Sequence, residues 1–130
     1  MLVQEGPGWR FCVDGERHPY SALVGGEGWA TELTVSEAMA FRDGCLRLAH
    51  ELRLVASQLM PEESVCLELE SGPLWLELEG FAELVTLRMV LEPGPLGRGF
   101  EGRWTAEGTA ALLAALHHCV ALEAVQAGVS

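Results

Sequence analysis

Polar and apolar positions change period several times along this chain. In Gly8–Val13, "GWRFCV", Trp9, Phe11 and Val13 fall on alternate positions, as in a strand with one buried face. Asp14-Gly15 is a turn signal. Tyr20–Val24 reads as a second short strand ended by Gly25-Gly26, and Trp29–Leu33 as a third. "GGEG" (Gly25–Gly28) precedes a strand, so it reads as a hairpin turn and not as a phosphate cradle. Thr34 followed by Glu37 is a capping box. Beyond it Ala38, Phe41, Cys45, Leu48, Leu52, Val55 and Leu59 recur at three- and four-residue steps up to Pro61. That stripe predicts a helix of about 25 residues, roughly 37 Å long. A small sheet does not need so long a helix, so part of it is expected to meet another helix or a second subunit.

Alternation then returns in Val65–Glu70, Leu74–Glu79, Leu84–Leu91 and Gly99–Trp104. "SGP" and "GFAE" read as short turns, and "EPGPLGRG" (Glu92–Gly99) as a longer, mobile one. Thr105–Ala127 predicts a second helix ended by Gly128. Only His117, His118 and Glu123 are strongly polar between Thr109 and Val125, so this helix is expected to be buried on more than one side. Strands holding Trp29 and Trp104 each run into a helix, a faint internal repeat. The reading is one domain over residues 1–130, with strands within 8–33, a helix at 34–60, strands within 64–104 and a helix at 105–127. Its class is α+β: antiparallel sheets with two long helices packed on one face, two strand–helix units forming a pseudo-dimer.

"CLELESGPLWLELEG" (Cys66–Gly80) carries the densest chemistry. Glu68 and Glu70 share a strand face, as do Glu77 and Glu79. Burying leucines and not carboxylates sets the register. Leu67, Leu69, Leu76, Leu78, Val85, Leu87, Met89 and Leu91 then point inward with Phe100 and Trp104. Cys66, Glu68, Glu70, Trp75, Glu77, Glu79, Thr86, Arg88, Glu101 and Arg103 share the outer face. A flat ladder of glutamates without nearby Asp, Asn or His is a poor cage for a hard cation. Paired-carboxylate catalysis needs one acid in an apolar pocket, which an open face does not supply. Two readings remain, a solvated face and a recognition face. Trp75 favours recognition, because an indole among charges is costly on a wet face unless something covers it. The candidate interaction face is Glu68, Glu70, Trp75, Glu77, Glu79, Arg88, Glu101 and Arg103.

Composition sharpens this picture. The net charge is −11, and the cations are eight arginines with no lysine. Such a chain repels phosphate backbones at long range, which makes nucleic acid an unfavoured partner. Lys, Asn and Ile are all absent, as in a GC-rich genome. No apolar run reaches the length of a membrane span, and Met1–Glu5 lacks the features of a secretory signal. The four cysteines form no C-x-x-C pair and read as buried, reduced thiols of a cytoplasmic protein. Of His117 and His118, one is expected packed and the other at the rim. No nucleophile or phosphate-binding motif occurs. The sequence therefore predicts no catalytic, cofactor-binding or metal-ligating residues, and points to a non-enzymatic interaction or assembly module with a protein partner. The long first helix and the apolar second helix predict a homodimer.

"GPGWRF", "LVGGEGWATELT", "QLMPEE", "CLELESGPLWLELEG", "LRMVL" and "FEGRW" together resemble the cyanobacterial domain-of-unknown-function 1818 family, from about Glu5 to Leu122. The resemblance brings no catalytic residues. It implies a four-strand-plus-helix unit similar to single-stranded-DNA-binding transcriptional regulators of the Whirly and positive-cofactor-four type, and with it an alternative function in binding single strands. Such binders combine a basic groove with stacking aromatics. This chain departs from that pattern, because the basic run before "EG-x-W" is reduced to Arg98 and the predicted face carries five Glu against two Arg.

Overall fold

The computed structural model describes residues 1–95, 97–119 and 121–126. Four short strands, β1 (Leu2–Gly6), β2 (Trp9–Val13), β3 (Ala22–Gly26) and β4 (Trp29–Leu33), form an antiparallel meander and lead into helix α1 (Val35–Ala56). Four more, β5 (Ser64–Ser71), β6 (Leu74–Phe81), β7 (Leu84–Leu91) and β8 (Phe100–Arg103), form a second meander and lead into α2 (Ala106–His117) and α3 (Ala121–Gln126). The fold is α+β, with two separate four-stranded sheets. No described helix is long and apolar enough to cross a membrane.

α1 and α2 each start on a threonine cap. Thr34 Oγ1 accepts from the Glu37 amide at 3.1 Å, and the Glu37 carboxylate accepts from the Thr34 amide at 2.9 Å, which completes the predicted box. Thr105 Oγ1 accepts from the Gly108 amide at 3.0 Å. Superposing the caps corrects the repeat: Trp104 corresponds to Leu33, and Trp29 to Phe100. Ala38, Phe41, Cys45 and Leu48 then correspond to Thr109, Leu112, Leu116 and Cys119, and all eight are buried.

α1 crosses to the other sheet, and α2 bridges the two. α1 follows the first sheet but packs mainly on β5 and β6, while α2 packs on β7 and β2. Gly44 allows the first of these contacts, since a Cβ there would lie 2.5 Å from Leu76 Cδ1. The sheets are also tied directly. Trp104 Nε1 donates to the Gly25 carbonyl at 2.8 Å and Trp29 Nε1 to the Arg103 carbonyl at 3.1 Å, with the two indoles 4.7 Å apart.

Several expectations need correction. β1 was not predicted: its inward positions are Leu2, Gln4 and Gly6, too polar a set to read as a strand face. α1 ends at Ala56, with Ser57 as cap, short of residue 60. The second helix breaks after His117. His118 caps α2, and the buried Arg42 donates from Nη1 to the Cys119 carbonyl at 3.3 Å while pairing with Glu123 on α3. No Gly or Pro marks this break, so the apolar pattern reads straight through it. The predicted end at Ala127 and stop at Gly128 lie outside the described residues. α2 does pack on more than one side, against β7, β2 and α1. Gly108, Thr109, Leu112 and Leu116 face inward, whereas Ala110 and Ala114 are exposed. His117 and His118 are both exposed, because the helix ends beneath them.

Candidate interaction face

Pairing across β5, β6, β7 and β8 sets the outer face residue by residue. Glu68 opposes Glu77, which opposes Arg88, which opposes Arg103. Glu70 opposes Trp75, and Trp75 opposes Val90, which in turn opposes Glu101. Cys66 opposes Glu79, and Glu79 opposes Thr86. All eight candidate residues therefore occupy one face, with the leucines of β6 buried on the other. The glutamates directly opposed across β5 and β6 are Glu68 and Glu77. Val90 also belongs to this face, because alternation carries the outward row of β7 past Arg88.

The face is not uniformly wet. Glu77 at its centre is only 8% exposed, while Glu68, Glu70 and Glu79 are exposed and, among the described residues, make no ion pair. Arg88 is the hub. Its guanidinium contacts Glu101 Oε1 at 2.7 Å, lies 3.9 Å from Glu77 Oε1, and sits 5.1 Å from the centre of the Trp75 ring. The half-buried indole is thus covered in part by the chain's own arginine through a cation–π contact, and not left bare among carboxylates.

Ligand atoms of Cys66, Glu77 and Glu79 lie within 4.8 Å of one another. Cys66 Sγ donates to Glu77 Oε2 at 3.6 Å. Partial desolvation, then the neighbouring carboxylates, push this thiol above its ordinary pKa. Metal ligation needs the thiolate, so this environment works against it. The expectation of four buried thiols holds for Cys45 and Cys119; Cys12 is half-buried and Cys66 exposed. Cys66 is exposed because it sits on an outward position of the edge strand β5.

Most of the arginines are engaged. Arg10, Arg17, Arg42, Arg88 and Arg98 all make ion pairs with carboxylates. Arg98, the remnant of the basic run, holds Glu37 through both terminal nitrogens at 2.8 Å and lies 4.7 Å from the Tyr20 ring centre. It anchors the end of the Glu92–Gly99 loop to the start of α1. Burial alone would raise the Glu37 pKa; hydrogen bonds from Arg98 and the Thr34 amide outweigh it and hold the carboxyl below its usual range.

Two concavities escaped the sequence reading. One, of about 550 Å³, lies between the β1–β2 and β3–β4 turns, where Trp9 stands over Gly6 and Trp29 over Gly26. The repeated Gly-x-Gly-Trp of "GPGW" and "GEGW" was its signal. The other lies beyond the end of α1, against the β6–β7 turn. Its signal was an apolar Phe81 in a stretch read only as a turn.

The sequence model of the domain of unknown function DUF1818 matches residues 4–119. A solved structure described as a protein with unknown function from the DUF155 family, from Prochlorococcus sp. NATL2A, is 37% identical. It superposes with a TM-score of 0.85 over 90% of this chain and 97% of that one, although its family label differs. No curated protein matches the chain.

Proposed function

The chain belongs to the DUF1818 family, and from that premise we propose that it is a non-enzymatic protein-interaction or assembly module that uses the outer face of β5–β8. One observation carries this reading: the exposed Glu68, Glu70 and Glu79, which make no ion pair among the described residues, share a face with a half-buried Trp75–Arg88 platform. Tryptophan and arginine are the side chains that most often anchor interfaces, and carboxylates around them select a cationic partner. A cyanobacterial, cytoplasmic setting is part of the same proposal. So is self-association through the α1–α2 surface, where the exposed Ala110 and Ala114 would let a second copy approach closely. A monomer in sedimentation at micromolar concentration removes that last element.

The test is a quantitative pull-down with the full chain, its Trp75→Ala variant and its Glu68→Gln/Glu70→Gln variant. A partner lost with both variants supports the reading; an unchanged partner set sinks it. Binding of single strands, by analogy with the Whirly and positive-cofactor-four type, is the competing reading. Its support is the pair of strand–helix units. A labelled oligonucleotide titration at about 50 mM salt, where phosphate attraction is strong, decides between them.

A further inference from the structure

α1 outruns the sheet it covers. Phe41, Cys45 and Leu48 are fully buried, but Leu52, Val55 and Leu59 are only half-buried. Beyond the helix the chain turns at Pro61, and the β6–β7 turn rises beside it. Between them lies a cavity of about 780 Å³, walled by Leu59, Met60, Phe81 and Leu84, with Glu62 and Glu83 among its lining. Met60 is 61% exposed, Phe81 47% and Leu84 65%. Large side chains gathered so openly in one groove mark a binding surface.

We propose that this groove docks a cationic amphipathic segment of another protein, its apolar side chains entering between Leu59 and Leu84 and its Arg or Lys meeting Glu62 and Glu83. Charge selects this occupant. The charged groups that line the groove are both exposed carboxylates. Glu63 adds a third beside them, its Oε1 accepting the Met60 amide at 3.0 Å. A second copy docked across a twofold axis would meet the same patch, so Glu62, Glu63 and Glu83 would approach their own counterparts. An anionic lipid surface would be repelled by the same groups and by a net charge of −11. The groove is also separate from the Trp75 platform. Trp75 and Phe81 lie toward opposite ends of β6, about 20 Å apart at strand rise.

The test is fluorescence anisotropy with the purified full chain and a short fluorescein-labelled helical peptide of Leu and Arg in amphipathic spacing. Saturable binding is expected, and a peptide with Glu in place of Arg should not bind. Leu84→Asp should weaken binding about tenfold or more, as for a buried interface anchor. Met60→Ser should also weaken it. Glu62→Gln/Glu83→Gln should reduce affinity several-fold and flatten its salt dependence. Glu68→Gln/Glu70→Gln should change nothing, which separates this site from the sheet face. Far-UV circular dichroism confirms that each variant is folded. The proposal is overturned if the peptide fails to bind, if folded Leu84→Asp and Met60→Ser both bind it as well as the parent, or if only the sheet-face variant loses it. It is equally overturned if sedimentation shows a dimer that Leu84→Asp dissociates.

Discussion

Superposed on their caps, Thr34 and Thr105, the two strand–helix units set Leu33 beside Trp104, Phe41 beside Leu112 and Cys45 beside Leu116, all buried. Their outer faces do not correspond. The first sheet turns Val3, Glu5, Arg10, Cys12, Leu23, Ala30 and Glu32 outward on strands of five residues, with Glu5 and Arg10 paired at 2.9 Å. The second turns five glutamates, two arginines and Trp75 outward, mostly on strands of eight. Inward positions share one core and must fit each other, so both units keep the same buried pattern. Outward positions carry no such constraint, and there the units diverge. That divergence is why the interaction chemistry is sought on the second sheet.

The comparison is broken most severely at Trp104. Trp104→Ala should cost about 3–5 kcal/mol for the lost bulk, and it also removes the indole hydrogen bond to the Gly25 carbonyl, at about 0.5–1.5 kcal/mol. Leu33→Ala, its counterpart, should cost about 2–5 kcal/mol and break no side-chain hydrogen bond. Urea unfolding of both variants tests this; equal losses would remove Trp104 as the tie between sheets. Next comes the third helical position, Glu37 in one unit and Gly108 in the other. A Cβ at Gly108 would sit 2.4 Å from the Gly8 carbonyl oxygen. Gly108→Ala should therefore destabilise by about 1–3 kcal/mol through overpacking, even though alanine is the better helix former by about 1 kcal/mol. An increase in the urea midpoint would contradict the close approach of the β1–β2 turn to α2.

Cap removal should be milder. Thr34→Ala and Thr105→Ala should each cost about 0.5–2 kcal/mol, with the first toward the upper end because it breaks a reciprocal box. Thermal melts rank the two. Acid then separates the units further. The Glu37 carboxyl is held below its usual range, so its contribution is complete above the unfolded-state value of about 4.3. That contribution fades as pH falls through the lower folded value. The effect should stay below about 1 kcal/mol, because Arg98 and Glu37 retain solvent contact. Glu37→Gln should flatten the acid limb of a stability–pH curve, and an unaltered limb would dismiss the pair. Smallest of all, Glu68→Gln/Glu79→Gln on the outer face should change stability by no more than about 0.5 kcal/mol.

Much of the architecture was legible. Alternation placed seven of the eight strands because a half-buried sheet needs a period of two, and the Thr34–Glu37 box marked the start of α1. The same rule put every candidate residue on one face, since carboxylates opposite leucines would have to be buried. What escaped reading depends on neighbours distant in sequence. β1 has a weak pattern of its own and forms by pairing with β2. The break between α2 and α3 is held by Arg42, far earlier in the chain.

The sequence by itself determined which residues face the core, because side-chain period and the cost of burying charge are local properties. Only the tertiary structure decided that α1 crosses to the second sheet, that Arg88 shields Trp75, that Arg98 is occupied by Glu37, and that the end of α1 leaves an acidic-rimmed groove with the β6–β7 turn. Each of these depends on the distance between segments far apart in the chain, and no local period encodes that distance.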